Sequence, residues 1–247
     1  FDDMLAFAVL LSAGGAIQSI DQFTADKEVV AFDGAGNATG RYVNYMGQKV
    51  STAAAGASAL VLSLNGAATP GWTSAHKLSG MTHALWMLRY DSKGNLYTGG
   101  VTEPRWVGKW VKVYDPRLDS TYPGGSGSCR ALNEATYVWS RNPALHALTW
   151  CLGRWQNGQR TLGIGAPIAS IRVGDFVSAA NIADTNHWCA GGVTWSTESK
   201  WTVLKGMLQA GGAVPTMTGA MIGCRVFTPR GSPAPIRSAD LLVSLTI

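Results

Sequence analysis

Charged side chains are scarce in this sequence. Lys, Arg, Asp and Glu make up 14% of its 247 residues, against about 25% in an average soluble domain. Two readings of such a surface stay open: Gly, Ala, Ser and Thr facing water, or a face covered by other chains in an assembly. The net charge of +5 permits contact with nucleic acid. However, basic residues never run three together, whereas a dedicated nucleic-acid binder clusters them on one face. The four cysteines, Cys129, Cys151, Cys189 and Cys224, lie far apart with no C-x-x-C pair. That argues against a zinc cage or a disulfide framework, and buried free thiols are expected. No H-x-x-x-H or H-E-x-x-H spacing is present, so zinc-hydrolase chemistry lacks its ligands. Long apolar runs are missing too. Met4 to Leu11 spans eight residues, short of the roughly 20 that cross a bilayer as a helix, and no basic stretch precedes it as in a signal peptide.

Other catalytic signatures fail in the same way. Gly124-Gly-Ser-Gly-Ser128 has the composition of a phosphate loop but lacks the closing Gly-Lys-Ser/Thr, and a flexible loop is the better reading. There is no G-x-S-x-G elbow. Asp33, Asp115, Asp119 and Asp175 are isolated carboxylates in turns, and nothing specifies a two-carboxylate glycosidase. His146 and Cys151 are five apart on one predicted helix and so point about 140° apart, which is the wrong geometry for a dyad. No enzyme activity, cofactor or metal is expected.

What is present centres on Lys112 to Leu152. Val111-Lys-Val-Tyr-Asp-Pro-Arg117 ends a strand at a charged turn, a Gly/Ser loop follows, and a capped helix begins. Asn142 suits the N-cap, where its side-chain oxygen takes free amide protons of the first turn. Pro143 suits the first helical position, which needs no N–H. Leu145, Leu148 and Leu152 form one apolar stripe, and Gly153 stops the helix.

Upstream, the pattern predicts strands at 4–11, 17–23 and 28–32, with a turn-rich loop at 33–40. Residues 53–64 fit a short helix or a strand. Thr82 to Tyr90 alternates as a clear strand, and Asp91-Ser-Lys-Gly-Asn95 is read as closing a hairpin. Val107 to Tyr114 is a further strand. Downstream, 156–165 is a Gly-rich link and Asp175 is the expected N-cap of a helix with Phe176, Ala179, Ala180 and Ala183 on one face. A strand at 189–195, a helix carrying Trp201, Leu204 and Leu208, and a hairpin over 213–227 complete the pattern. The expected fold class is α+β: β-rich, barrel- or sandwich-like domains with a few short helices. Residues 1–140 form a β-rich domain, 141–228 an α+β domain, and 229–247 a linker and the start of a following domain. Both ends read as cut from a longer multidomain polypeptide.

The sequence holds ten tryptophans. Trp106, Trp110, Trp150 and Trp201 are expected as packing or interface anchors. The alternative is a groove for carbohydrate.

In their order, these pieces resemble the tail-tip (tip-attachment, host-specificity) proteins of long-tailed bacteriophages, the lambda protein J type, and related baseplate-hub proteins of gene-transfer agents and prophages. The resemblance rests on Gly99 to Arg117 with its Tyr114-Asp115-Pro116-Arg117, then Asn142-Pro143-Ala144. Asp175 to Asp184, Trp188 to Val193, Glu198 to Gly212 and Gly219 to Pro229 continue it. It covers about Thr82 to the end and is weak before that. It implies a structural hub that closes the tail tube, connects it to the central tip and opens for DNA ejection. Its implied partners are two further copies in a homotrimer, the distal tail protein, the tail tube, and the central fibre or end of the tape measure. By the same resemblance, DNA would pass through the lumen without specific binding, and the host receptor would be met by regions outside this segment. Localisation would be the virion tail tip, assembled in the bacterial host cytoplasm. A carbohydrate-binding adhesin module is the alternative from another class.

Overall fold

The computed structural model describes residues 3–52, 58–156, 158–195 and 197–227. It is a strand-rich α+β structure, and among the described residues no sheet closes into a barrel. The first part is built from β1 (Met4–Ser12), β2 (Ile17–Ala25), β3 (Glu28–Val29), β4 (Met46–Ser51), the small β5 (Ser63–Leu64) and β6 (Ala67–Ala68) hairpin, β7 (Thr82–Arg89) and β8 (Pro104–Val113). With β9 (Val138–Trp139) these make two main sheets, ordered β1-β7-β4 and β3-β2-β8-β9. The sheets meet face to face through aromatics. Phe23 of β2 stands 6.2 Å from Trp86 of β7 and 5.2 Å, edge-on, from Trp106 of β8. Such offset and edge-on rings are the favoured arrangements.

β7 is covered on both faces. Trp86 and Leu88 belong to the core between the sheets, while Leu85 and Met87 meet Leu62 and Leu64 on the other side. Strict alternation of side chains therefore does not mean one wet face here. The turn at Asp91 forms as expected: its carboxylate accepts the N–H groups of Lys93, Asn95 and Leu96 at 3.0, 2.7 and 3.0 Å. It closes no hairpin, because β7 pairs with β1 and β4 whereas β8 pairs with β2 and β9. The chain leaves one sheet at Arg89 and enters the other at Pro104. The ambiguous segment 53–64 lies outside the described residues at 53–57 and is strand only at Ser63–Leu64.

The second part surrounds α1 (Pro143–Leu152), of which nine of ten residues are buried. A helix apolar all round is an interior helix. Around it lie β10 (Arg154–Gln156), β11 (Gln159–Leu162), α2 (Val173–Thr185), α3 (Lys200–Gln209) and the hairpin of β12 (Ala213–Thr218) and β13 (Met221–Val226). Val113, Tyr114, Cys129 and Tyr137 also pack into this core.

Three expectations need correction. The Gly-rich link is an antiparallel hairpin, β10–β11. It folds back under α1, with Ile164 N–H on Trp150 C=O and Ala166 N–H on Cys151 C=O, both at 2.8 Å. Gly163, at φ 80°, sits against the Trp150 carbonyl where no side chain fits. α2 begins at Val173 with Arg172 before it, so Asp175 lies in the first turn rather than at the cap. Its charge still suits the helix N-terminus. Residues 189–195 form no strand, because no neighbouring strand offers them a ladder. The hairpin expected over 213–227 is present through Val226, and 228–247 lie outside the described residues.

Candidate functional site

The two quoted motifs meet in space. Tyr114 leaves β8 buried, its N–H donating to Thr149 Oγ1 at 2.9 Å and its hydroxyl to Asp119 Oδ2 at 2.8 Å. Asp115 caps a short 3-10 turn at Pro116–Leu118 by accepting the Arg117 N–H. The Arg117 guanidinium forks onto Asp115, Nε to Oδ1 at 2.9 Å and Nη2 to Oδ2 at 2.8 Å. Its Nη1 reaches α2, 2.7 Å from Asp184 Oδ2 and 3.0 Å from Asn181 Oδ1. Such bidentate, charge-assisted contacts fix geometry as well as adding energy.

Asn142 completes the circuit. Its Oδ1 accepts from Ala144 N–H at 3.0 Å and Leu145 N–H at 3.4 Å, the cap expected of it. Its Nδ2 donates to Ala180 C=O and to Asp184 Oδ1, both at 2.8 Å. Pro143 and Ala144 follow, buried in the first turn of α1. Asp184 thus ties one motif to the other through its two oxygens. Neither Asp184 nor Asn181 stood out in the sequence. Their i, i+3 spacing puts them on one face of α2, the signal that could have singled them out.

The electrostatics are those of a closed clamp. Arg117 is held above its ordinary pKa, chiefly by Asp115. Burial alone would raise the Asp184 carboxyl, but the bonds from Arg117 and Asn142 outweigh it and hold the group low. Asp119 is similar: burial opposes its ionisation, while Thr121, Tyr114 and Arg130 favour it, and the net shift is downward. The loop 124–128 was expected to be flexible. Instead it is tied to this turn, with Ser126 N–H on Arg117 C=O at 2.9 Å and Cys129 N–H on Leu118 C=O at 3.0 Å. Gly125 lies against the Pro116 and Asp119 carbonyls, where a Cβ would collide.

The tryptophans divide. Trp106 packs on Phe23, and Trp150 is 8% exposed, its indole N–H donating to Lys200 C=O at 2.9 Å and so stitching α1 to α3. Trp110 and Trp201, expected as anchors, are 37% and 41% exposed. Trp110 lies two turns of the pleat beyond Trp106 on the same strand face, past the end of the aromatic core. There it lines a groove of about 790 Å³ between β8 and α3, with Trp139, His146 and the Cys189–Thr194 segment.

His146 and Cys151 do not form a dyad. His146 Nε2 sits 2.8 Å from Ser140 C=O, and burial lowers its pKa. Cys151 is fully buried, and burial pushes its thiol up to about 12. Cys129 and Cys224 are also buried, whereas Cys189 is exposed, contrary to expectation, because its segment lies on the surface. Among the described residues no three His, Cys, Asp or Glu side chains are placed to hold a metal ion, and no helix is long and apolar enough to cross a membrane. Neither the models of known protein families nor the curated proteins compared with this chain match it.

Proposed function

We propose that this chain is a structural subunit of a phage tail tip: a homotrimeric baseplate hub that closes the tail tube, joins it to the central tip and opens for DNA. Two arguments support this reading. The first is the resemblance, whose two best motifs converge on one clamp of ion pairs and hydrogen bonds. The second, which carries the assembly claim, is β1. It is a nine-residue strand, Met-Leu-Ala-Phe-Ala-Val-Leu-Leu-Ser, with no charge, Gly or Pro, at the edge of its sheet. Tyr90 N–H donates to Asp3 C=O at 2.7 Å, so antiparallel alternation turns the backbone groups of Met4, Ala6 and Ala8 outward. They have no partner among the described residues. Proteins that stay single blunt such an edge with Lys, Pro or a cover.

The test is the mass of the purified chain by mass photometry, with negative-stain images of tails carrying it. A trimer, and density for a ring below the tube, are expected. A monomer at micromolar concentration that is absent from purified tails would overturn the proposal.

A further inference from the structure

We propose that the groove between β8 and α3 is a binding site for a neutral oligosaccharide. Its volume of about 790 Å³ falls within the roughly 300–1,000 Å³ of small-ligand sites. One wall carries two indoles, Trp110, 37% exposed, and Trp139. Lys109 Nζ stands 5.5 Å from the Trp139 ring centroid, a contact that holds the ring in place. Electron-rich indole faces attract the slightly positive C–H faces of a pyranose.

The polar lining selects among ligands. It holds one basic and one acidic residue, Arg141 and Glu198, with Lys109 nearby over Trp139. His146 also lines the groove, and burial favours its neutral form. A polyanion such as nucleic acid calls for clustered basic groups, and Lys109 and Arg141 beside one carboxylate fall short of such a cluster. Arg141 and Glu198 are both exposed, and neither side chain has an ion-pair or hydrogen-bond partner among the described residues. Together with Ser140, Thr194 and Thr202 they offer donors and acceptors to vicinal hydroxyls. A purely apolar peptide would desolvate them without return bonds. Gly191, Gly192 and Gly206 leave gaps on the opposite side between Val193, Val203 and Met207.

The inference stands whether the chain assembles as a trimer or not. It is tested by titrating the full chain with chitotetraose, maltohexaose and cellohexaose, following tryptophan fluorescence and heat. Saturable binding of at least one sugar is expected. Trp110→Ala should weaken it at least tenfold, while Trp201→Ala, an equally exposed indole outside the groove, should leave it unchanged. Far-UV circular dichroism and melting curves establish that both variants fold, and Trp110→Phe should retain part of the affinity. No response to any of the three sugars at millimolar concentration, or equal losses in the Trp110 and Trp201 variants, would overturn the assignment. So would fluorescence that depends on protein concentration but not on sugar, which would mean a second copy fills the groove.

Discussion

Asn142 uses both ends of its amide. The oxygen caps α1 and the nitrogen holds the Ala180 carbonyl and Asp184, so one side chain positions α1 against α2. The N-cap role was legible in the sequence, because Asn before Pro is a strong helix-start signal. The second role was not, since it depends on α2 arriving from 38 residues away. Removing the cap costs about 1 kcal/mol, and losing the bonds to the Ala180 carbonyl and the Asp184 carboxylate adds roughly 1–3 kcal/mol. Asn142→Ala should therefore lower unfolding free energy by about 3 kcal/mol, read from urea denaturation. Asn142→Asp separates the two roles. It keeps the cap acceptor, loses the donor and sets a carboxylate against Asp184, so it too should be destabilised. If Asp restored full stability, the strut to α2 would carry no weight.

The turn after β8 holds two buried carboxylates, Asp115 and Asp119, and reaches through Arg117 to Asp184 on the exposed side of α2. Asp119 and Asp184 are both held below the usual carboxylate range in the folded chain, against about 3.9 unfolded. Their contribution is therefore fully present above pH ~4–5 and is lost as pH falls through the folded values. The urea midpoint should stay flat from neutral pH to about 5 and fall below about 4. Asp119→Asn should lower the plateau and flatten part of that fall. An unchanged acid limb in that variant would remove Asp119 from the account. At this same scale the limits of sequence reading are physical. Local signals found the Asp91 turn, α1, the apolar face of α2 and the β12–β13 hairpin, because caps, turn residues and periodicity act within a few residues. They failed for strand pairing after Asp91, since alternation says that a strand has faces but not which strand lies beside it. They failed at 156–165 because glycines needed for close approach to α1 look the same as glycines of a linker. Alternation likewise puts Trp110 on the strand face of Trp106 but does not say where the core ends, and Trp110 lies beyond it.

At the scale of the whole molecule, β8 couples two cores. Trp106 packs among the sheets, while Val113, seven residues on, lies in the core around α1. β9 pairs Trp139 with Lys112 and Val138 with Val113 at the junction, and buried Arg154 bonds the Lys112 carbonyl and ion-pairs with Glu134 at 3.2 Å. Gly108 lies so close to the Ser19 backbone that an added Cβ would collide, locking β8 onto β2. A body joined this way has no extended linker between its two cores. The assembly claim then turns on the β1 edge, which is unpaired among the described residues. Ala8 is exposed there, with Leu5 and Leu10 each 53% exposed. A lysine in the middle of an edge strand disfavours strand addition, because the joined sheet would have to desolvate its charge, yet β1 still bonds β7 from its other side. Ala8→Lys should therefore leave the circular dichroism spectrum intact and move the measured mass from assembly to monomer. A folded variant that keeps the wild-type mass would show that copies meet elsewhere. A single-chain mass in the unmodified protein would leave β1 needing a cover of some other kind, and would count against the hub reading itself.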